Sequence, residues 1–470
     1  MTAILESINA FVWGIPALLG ILGVGIYLTV RTRFAQLRLF PRALREFLAT
    51  FQRKRGMDDG IPPFQALCTA LAATVGTGNL AGVAGAIAIG GPGAIFWMWI
   101  CAILGMVTKF AEATLSVRYR IKNEAGEWVG GPMYMIQQGM GRRWNWLATT
   151  YCFFGVVAAF GVGNATQVNT VIGGINGAII AMGGNQTQLG NILMGVALAI
   201  LICGILLGGL KKIGTMAEGL VPLASVCYLL LGLGVLIARM QAIPQAFSAI
   251  FVGAFSPKAV TGGMVGSLFV GLRIGVSRGV FTNEAGMGTA GIAHAAASVK
   301  HPAQQGLMGI MEVFLDTIVI CTMTALVILV SGVPIAYGAD VGVALTTQAF
   351  STVYGGWVSI IIAAALCCFA IATVLGWGLY GARCAQFLFG DGVWKKFVLL
   401  QGIAVVLGAV LKTETVWVMS EIVNGLMAIP NLIALGCLTP ELVRLVRQFQ
   451  ATETKMFSAK GGCNFPGSRV

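Results

Sequence analysis

The sequence contains few charged residues. Only 10% of its 470 residues are Asp, Glu, Lys or Arg, whereas about 25% are charged in an ordinary soluble domain. So little charge does not cover the surface of a water-soluble protein of this length, which excludes a soluble enzyme. The net charge is +13, but the basic residues lie in short loops between apolar segments. No basic stripe alternates with exposed aromatic residues, so nucleic acid is not an expected partner.

Histidine is nearly absent, and the cysteines lack the spacing of metal ligands. The two histidines, His294 and His301, do not complete a zinc cage. Most of the 11 cysteines lie inside apolar stretches, where they are expected as small buried apolar residues. Without a metal cluster or a nucleophile–base pair, a membrane-embedded enzyme is not predicted either. No cleavable signal peptide is predicted, because no basic region precedes the first apolar run at residues 11–30.

Long apolar segments dominate the sequence. Hydrophobic residues make up 57% of the chain, and it contains 65 glycines. A bilayer core needs roughly 20 apolar residues for each crossing, and glycine lets membrane helices approach closely. We therefore predict an all-α integral membrane protein with about eleven transmembrane helices. The predicted spans are residues 11–31, 63–90, 93–117, 147–180, 189–209, 216–238, 263–291, 306–331, 355–382, 396–411 and 417–447.

The loops predict an orientation in the membrane. Lys and Arg are concentrated on one side of the alternating spans, beginning with the basic segment at residues 31–62. Because such residues favour the cytoplasmic side, the N-terminus is predicted outside and the C-terminus in the cytoplasm. Residues 38–55 are predicted to form a basic amphipathic helix on the membrane surface. Residues 451–470 are predicted to be a disordered cytoplasmic tail.

Two spans are unusually rich in glycine and polar residues. Residues 73–82 read ATVGTGNLAG, and residues 266–288 read GSLFVGLRIGVSRGVFTNEAGMG. Glycines in either span would also allow tight helix packing. However, the two are the second and seventh spans, so they enter the membrane from opposite sides. This matched pair favours an inverted repeat in which two broken helices meet at the midplane, a pattern typical of transporters.

A broken helix supplies the groups that a small ionic substrate requires. Its unpaired N–H groups attract an anion such as a carboxylate, and its unpaired carbonyl groups suit a hard cation such as Na⁺. The candidate oxygens are the backbone near Ala73 to Gly76, the hydroxyl of Thr77 and the amide of Asn79. The absence of an acidic cluster beside them disfavours calcium or magnesium.

Other spans carry single polar residues at membrane depth. In residues 161–169, GVGNATQVN, Gln167 is expected either to bond neighbouring helices or to contact substrate, and Asn169 is expected to bond neighbouring helices. Thr373 has two alternatives, an ion ligand or a hydroxyl bonded to its own helix. Trp377 is expected to form a wall or gate of the pocket.

Ionisable residues within the spans are candidates for functional roles. Glu112 follows Lys109 by three residues, which predicts a structural ion pair. Glu312 and Asp316 lie one turn apart and are expected near a cation or proton path.

The second glycine-rich span carries charged residues of both signs. Arg273, Arg278 and Glu284 are predicted to form an internal salt-bridge network at an inner gate, rather than to contact substrate.

Five stretches carry a resemblance to a known family. They are ATVGTGNLAGVAGAIAIGGPGAIFWMW (73–99), GMVTKFAEATLSVRYR (105–120), GGPMYMI (130–136), RGVFTNEAGMGTAGIAHAAA (278–297) and NGLMAIPNLIAL (424–435). Over residues 60–447 the chain resembles the alanine or glycine:cation symporter family. The resemblance implies the amino acid–polyamine–cation transporter fold, with repeats at 61–240 and 241–450 and an extra helix within residues 1–60. Thr282 stands where the family more often has Ser, which keeps the hydroxyl.

The resemblance also implies a function and site residues. The expected function is uptake of small neutral amino acids, chiefly alanine and glycine with serine as a further substrate, driven by Na⁺ or in some members by H⁺. The implied substrate residues are Thr77, Gly78, Asn79, Gly163, Gln167, Phe269 and Trp377. The implied cation residues are Ala73, Gly76, Asn79 and Thr373.

Two other functions compete with transport. A channel would need rings of carbonyls or charges around a pore, and TVGTG at residues 74–78 occurs only once. A non-transporting amino-acid sensor of the same fold keeps a binding site and leaves no mark in the sequence. The family resemblance also places the protein in a bacterial inner membrane, with membrane lipid as its surroundings and Na⁺ as the metal ion.

Overall fold

The computed structural model describes residues 2–50, 60–181, 183–261, 267–339, 342–411 and 414–460, and these residues are mostly helical. In chain order the α-helices are α1 (Thr2–Val12), α2 (Ile15–Arg31), α3 (Ala35–Arg38), α4 (Phe40–Thr50), α5 (Pro63–Thr74), α6 (Val83–Gly90), α7 (Gly93–Arg118), α8 (Pro132–Tyr134), α9 (Asn145–Phe160), α10 (Thr166–Ala181), α11 (Gln188–Leu206), α12 (Gly209–Ala238), α13 (Ile243–Phe255), α14 (Pro257–Thr261), α15 (Leu268–Asn283), α16 (Thr289–His294), α17 (Pro302–Val313), α18 (Thr322–Ser331), α19 (Gly342–Tyr354), α20 (Val358–Phe389), α21 (Trp394–Gly408) and α22 (Glu414–Lys460).

Short irregular segments connect or interrupt these helices. Strands β1 (Ile121–Lys122) and β2 (Trp128–Val129) form an antiparallel hairpin in which Ile121 pairs with Val129. Because π-helical turns inside α-helices occur often at functional sites, their positions are of interest. The π-helical segments are Gly78–Gly82, Met135–Met140, Gly161–Ala165 and Phe314–Cys321, and the 3₁₀ segments are Arg142–Trp144, Met240–Ala242 and Asp391–Val393.

The helices agree with a chain that crosses a membrane many times. Seven of the described helices are long and apolar enough to span a bilayer, and an eighth span arises if the bent pair Pro63–Thr74 and Gly78–Gly90 counts as one. The predicted spans at 11–31, 263–291 and 396–411 correspond to helices α2, α15 with α16, and α21, which are each shorter. The protein is therefore a multi-pass membrane protein, and a count of eleven crossings remains a prediction.

Local sequence explains where several helices begin. Ser267 precedes α15 and its hydroxyl accepts the N–H of Phe269 at 3.2 Å, which satisfies one of the donors that the first turn leaves unpaired. His301 caps α17 in the same way, and Pro302 then occupies the first helical position, where its missing N–H has no effect.

Helix α7 lies at the centre of one half of the bundle and packs against α15 and α17, while α20 packs against α9, α10 and α5. Helix α16, which follows α15 after a short gap, also packs against α20. The two predicted broken helices therefore meet the same neighbouring helix.

Several segments differ from the sequence predictions. Two helices, α13 and α19, lie between predicted spans, where the sequence predicts no crossing. Helix α22 continues to Lys460, ten residues into the predicted disordered tail, and residues 461–470 lie outside the described chain. The predicted surface helix at 38–55 is present as α4, which packs against α17, and residues 51–55 are not described.

Candidate functional site

The first break in the helices lies between α5 and the π-helical segment Gly78–Gly82. Val75 adopts an extended conformation, with φ −74° and ψ 104°, and the axis bends by 55° between the two halves. The last carbonyls of α5 and the first N–H groups of the next half therefore lack partners within a helix. A bilayer tolerates such groups only where protein or a polar cavity surrounds them.

The second break separates α15 from α16. Glu284 adopts a left-handed conformation with φ 53°, and Gly286 and Gly288 have φ of 96° and 78°. Such angles are uncommon for a residue with a side chain, and they suit glycine. This second predicted break is therefore present, within residues 284–288.

A small cavity lies where the two breaks meet. We call it the central cavity. Its volume is about 20 Å³, which is room for about one water molecule. An amino acid therefore needs movement of the surrounding side chains in order to enter. The lining residues are Ala73, Thr74, Gly76, Thr77, Gly78, Val162, Gln167, Phe281, Glu284, Thr373, Trp377 and Asn424.

Three of the four predicted cation residues come together at one end of this cavity. Ala73 and Gly76 lie at the end of α5, and Thr373 faces them from α20. A side chain added at Gly76 would lie 2.8 Å from the Thr373 hydroxyl oxygen, so only glycine permits this approach. The Thr373 hydroxyl donates to the Phe369 carbonyl at 3.0 Å, which leaves its oxygen lone pairs available to a cation.

Asn79 differs from its predicted role as a substrate and cation residue. It is fully buried and does not line the central cavity. Its side-chain oxygen accepts the N–H of Gly76 at 2.8 Å, and its nitrogen donates to a carboxylate oxygen of Asp316 at 2.7 Å. The π-helical turn that contains Asn79 directs its amide toward Phe314–Cys321. Asn79 therefore holds the shape of the first break.

Predicted substrate residues from three helices reach the cavity. Thr77 donates to the side-chain oxygen of Gln167 at 3.3 Å, and Gly78 lies beside them. Trp377 forms a wall, and its indole N–H donates to Glu284 at 3.0 Å. Gly163 does not line the cavity. A side chain there would overlap the Trp377 ring, so Gly163 contributes by leaving room for that indole.

Phe269 is the predicted substrate residue that the structure places elsewhere. It lies in the first turn of α15, is 49% exposed and does not line the cavity. Phe281, three turns further along the same helix, occupies the expected position. A glycine-rich helix can be aligned with the family in more than one register, and in this structure Phe281 rather than Phe269 lines the cavity.

The buried charges pair differently from the sequence prediction. Lys109 pairs with Glu312 at 2.8 Å rather than with Glu112, and Glu312 also bonds the ring of His294 at 2.9 Å. Helices α7 and α17 pack against each other. Lys109 of α7 therefore pairs with Glu312 of α17 rather than with Glu112, which is one turn away on its own helix.

Glu112 instead stabilises the second break. Its carboxylate accepts the N–H groups of Gly286 at 2.9 Å and Gly288 at 3.1 Å, and the side-chain amide of Asn431 at 2.8 Å. Hydrogen bonds from N–H groups to a carboxylate are charge-assisted and strong, so these three bonds hold the second break in shape.

The predicted network of Arg273, Arg278 and Glu284 is wrong. Arg278 pairs with Glu421 of α22 at 3.2 Å. Glu284 bonds Trp377 and the Thr289 hydroxyl, the latter at 2.6 Å, and it lines the central cavity.

Asp316 forms hydrogen bonds but no salt bridge within the described residues. One of its carboxylate oxygens accepts from Asn79, and the other accepts the hydroxyl of Thr317 at 2.8 Å. In the part of the chain that the structure describes, no Lys, Arg or His lies within salt-bridge distance of Asp316.

Three lining residues, Val162, Phe281 and Asn424, are not among those predicted from the sequence, and Glu284 is predicted at a gate instead. Phe281 and Asn424 both belong to stretches that carry the family resemblance, RGVFTNEAGMG and NGLMAIPN. Those motifs therefore contained a usable signal. Val162 had none, because an apolar residue in an apolar helix does not stand out.

Comparison with known proteins identifies the family. The sodium:alanine symporter family matches over residues 1–460. An uncharacterized transporter of Haemophilus influenzae is 42% identical over 438 residues, covering 92% of each chain. The sodium/alanine symporter AgcS of Methanococcus maripaludis is 41% identical over 457 residues, covering 95% of this chain and 97% of its own. The probable sodium/glutamine symporter GlnT of Bacillus subtilis is 37% identical over 461 residues, covering 96% and 91%. The chain belongs to the sodium:alanine symporter family.

Proposed function

We propose that this protein takes up small neutral amino acids, chiefly alanine and glycine, together with Na⁺. Family membership supports cation-coupled amino-acid symport, and the similar proteins named as symporters of alanine and of glutamine leave the choice of substrate open. The observation that carries the proposal is the central cavity, where a broken helix and neutral oxygens meet a carboxylate.

The cation would bind at the carbonyl end of the first break. Ala73, Gly76 and Thr373 all line the cavity, and the Thr373 hydroxyl oxygen lies close to the Gly76 backbone, so the carbonyls of this segment and that hydroxyl would be the ligands. These ligands are neutral oxygens, which suit Na⁺ better than Ca²⁺ or Mg²⁺, whose sites use carboxylates. The end of a half-helix adds negative potential that favours a cation.

The substrate would lie beside this ion. Its carboxylate would bind the N–H groups near Thr77 and Gly78, where the second half of the broken helix begins. Its ammonium group would face Glu284, the charged residue among those that line the cavity. Trp377 and Phe281 then leave little space for the side chain, which favours glycine, alanine and serine over larger amino acids.

Transport would follow from alternating access, in which one repeat rocks against the other around this site. The cation stabilises the arrangement that binds substrate, and by thermodynamic reciprocity the substrate tightens the binding of the cation. We further propose a location in a bacterial inner membrane, with the N-terminus outside and the C-terminus in the cytoplasm. The distribution of Lys and Arg supports this orientation.

Coupling to H⁺ is the second candidate, and Asp316 favours it. A buried carboxylate without a cationic partner is expensive to keep charged, so Asp316 is suited to carry a proton. Its bond to Asn79, and through Asn79 to Gly76, would connect that proton to the first break.

Uptake of labelled alanine into proteoliposomes tests the proposal. Accumulation driven by an imposed Na⁺ gradient alone would support Na⁺ coupling. Accumulation only under a proton gradient would move the coupling site from Thr373 to Asp316. Binding of alanine without uptake under either gradient would indicate a sensor, and flux that does not saturate would indicate a channel.

A further inference from the structure

A second and larger cavity lies between α1, α15 and α22. Its volume is about 210 Å³, compared with about 20 Å³ for the central cavity. It has room for a small amino acid without movement of its walls. The lining residues are Asn9, Trp13, Arg273, Ile274, Ser277, Arg278 and Glu421.

One charged group that lines this cavity is fully paired, and another has no partner among the described residues. Glu421 is held on both oxygens, by Arg278 at 3.2 Å and by the amide of Asn9 at 2.6 Å. Arg273 also lines the cavity, and no ion pair or hydrogen bond joins it to another residue in the described ranges. The cavity therefore presents one uncommitted guanidinium and one carboxylate among its lining groups.

This charge pattern matches an amino-acid zwitterion. A guanidinium binds a carboxylate through two parallel hydrogen bonds, and Ser277 adds a hydroxyl on the same helix. A ligand with a carboxylate and an ammonium group engages both Arg273 and Glu421, whereas a simple anion leaves Glu421 unused.

The same residues form the boundary with the central cavity. Phe281 lines the central cavity one turn after Arg278, and the Arg278 guanidinium lies 5.9 Å from the centre of the Phe281 ring. On α22, Asn424 lines the central cavity one turn after Glu421. The Arg278–Glu421 pair and the Phe281 ring therefore stand between the two cavities.

We propose that the larger cavity is an approach site, formed by Arg273, Ser277, Arg278 and Glu421, that binds the amino-acid substrate before it reaches the central cavity. This inference rests on the proposed function. The substrate carboxylate binds Arg273, and its ammonium group competes with Arg278 for Glu421. Loosening the Arg278–Glu421 pair lets the guanidinium move away from the Phe281 ring, so arrival of substrate widens its own path.

The test compares Arg273→Gln with the wild-type chain in proteoliposomes. The variant should raise the alanine concentration for half-maximal uptake about tenfold, the effect of one charge-assisted hydrogen-bonded contact. Equilibrium binding of alanine at the central cavity should change less than twofold, which also shows that the variant is folded. The matched control is Arg239→Gln, which removes an exposed arginine after α12 and should change neither value.

Alaninamide, which lacks the carboxylate, provides a second measurement. It should inhibit uptake by the wild type and by Arg273→Gln equally, because its binding does not use Arg273. Stronger inhibition of the wild type would contradict the proposal.

Two further outcomes would overturn the approach site. One is an unchanged half-maximal concentration in Arg273→Gln. The other is an effect seen in vesicles with anionic lipid but absent in pure phosphatidylcholine, which would assign the cavity to a lipid headgroup. A wild-type chain without cation-dependent alanine binding would instead contradict the proposed function, and that result appears before any variant is compared.

Discussion

The two broken helices use the same backbone device in different ways. At the first break, neutral residues end α5 beside the central cavity, and Ala73, Gly76 and Thr77 face that cavity. At the second break, the N–H groups of Gly286 and Gly288 are already bonded to Glu112. At the first break the protein satisfies the Gly76 N–H through Asn79 and leaves other backbone groups facing the cavity, whereas at the second break it satisfies both glycine N–H groups. Breaking a helix therefore creates a binding site only where no side chain occupies the freed groups.

This comparison predicts that changes at the second break act mainly on stability. Glu112→Ala removes the acceptor of three buried hydrogen bonds, which should destabilise the protein by at least ~3 kcal/mol. Thermal unfolding of the purified protein measures the loss. Glu112→Gln keeps one acceptor oxygen and should be milder. An unchanged unfolding midpoint in Glu112→Ala would show that the second break is not held in this way.

A variant at Asn79 tests whether this residue supports the structure of the first break or binds the cation. Asn79→Ala leaves the Gly76 N–H and the Asp316 carboxylate without their partner, so a loss of about 1–3 kcal/mol of stability is expected. Unfolding should be measured without Na⁺, together with the Na⁺ dependence of alanine binding. Full stability combined with weakened Na⁺ dependence would restore Asn79 as a cation ligand.

A change at Thr373 should affect Na⁺ dependence more than stability, in contrast to the change at Asn79. Thr373→Val keeps the shape of the side chain but removes the hydroxyl, and the Na⁺ concentration for half-maximal alanine binding should rise about tenfold, equivalent to ~1.4 kcal/mol. Stability without Na⁺ should change by less than that. Thr373→Ser retains the hydroxyl and serves as the control. Equal Na⁺ dependence in the two variants would place the ion elsewhere.

The smallest effect is expected at Trp377, which lines the central cavity and bonds Glu284 of the second break. Trp377→Phe removes the bond to Glu284 and shortens the side chain, so alanine binding should weaken a few-fold, or ~1 kcal/mol. Competition by leucine should become stronger, because the cavity gains volume. Competition assays with glycine, serine and leucine measure this change. An identical competition series in both proteins would show that Trp377 does not limit the substrate side chain.

Much of the site was predictable because it follows from local sequence. The polar and glycine cluster at residues 73–82 predicted the first break, and Thr77, Gly78, Gln167, Thr373 and Trp377 all line the central cavity as expected. These residue types are rare at membrane depth unless a cavity or a partner requires them. Residue type alone pointed to a pocket at Thr77 and Trp377, whereas Gly78 and the choice between two roles at Gln167 and Thr373 came from the family resemblance.

The wrong predictions have different causes. Phe269 follows from aligning a glycine-rich helix with the family, and such a helix aligns in more than one register. The pairing of Glu112 with Lys109 follows from their spacing of three residues, whereas the structure pairs Lys109 with Glu312. Partners such as Glu312 and Asn431 lie on helices that are far away in the chain, so helical spacing gives no information about them.

The sequence by itself determined the class of the protein and the location of its breaks. Low charge and long apolar runs require a membrane, and glycine beside polar residues disfavours a continuous lipid-facing helix. Only the tertiary structure decided which freed groups remain open, because this depends on the side chains that neighbouring helices bring within hydrogen-bonding distance. Glu112 closes the second break and Asn79 turns toward Asp316, while Thr373 meets the end of α5 with its oxygen still available to a cation.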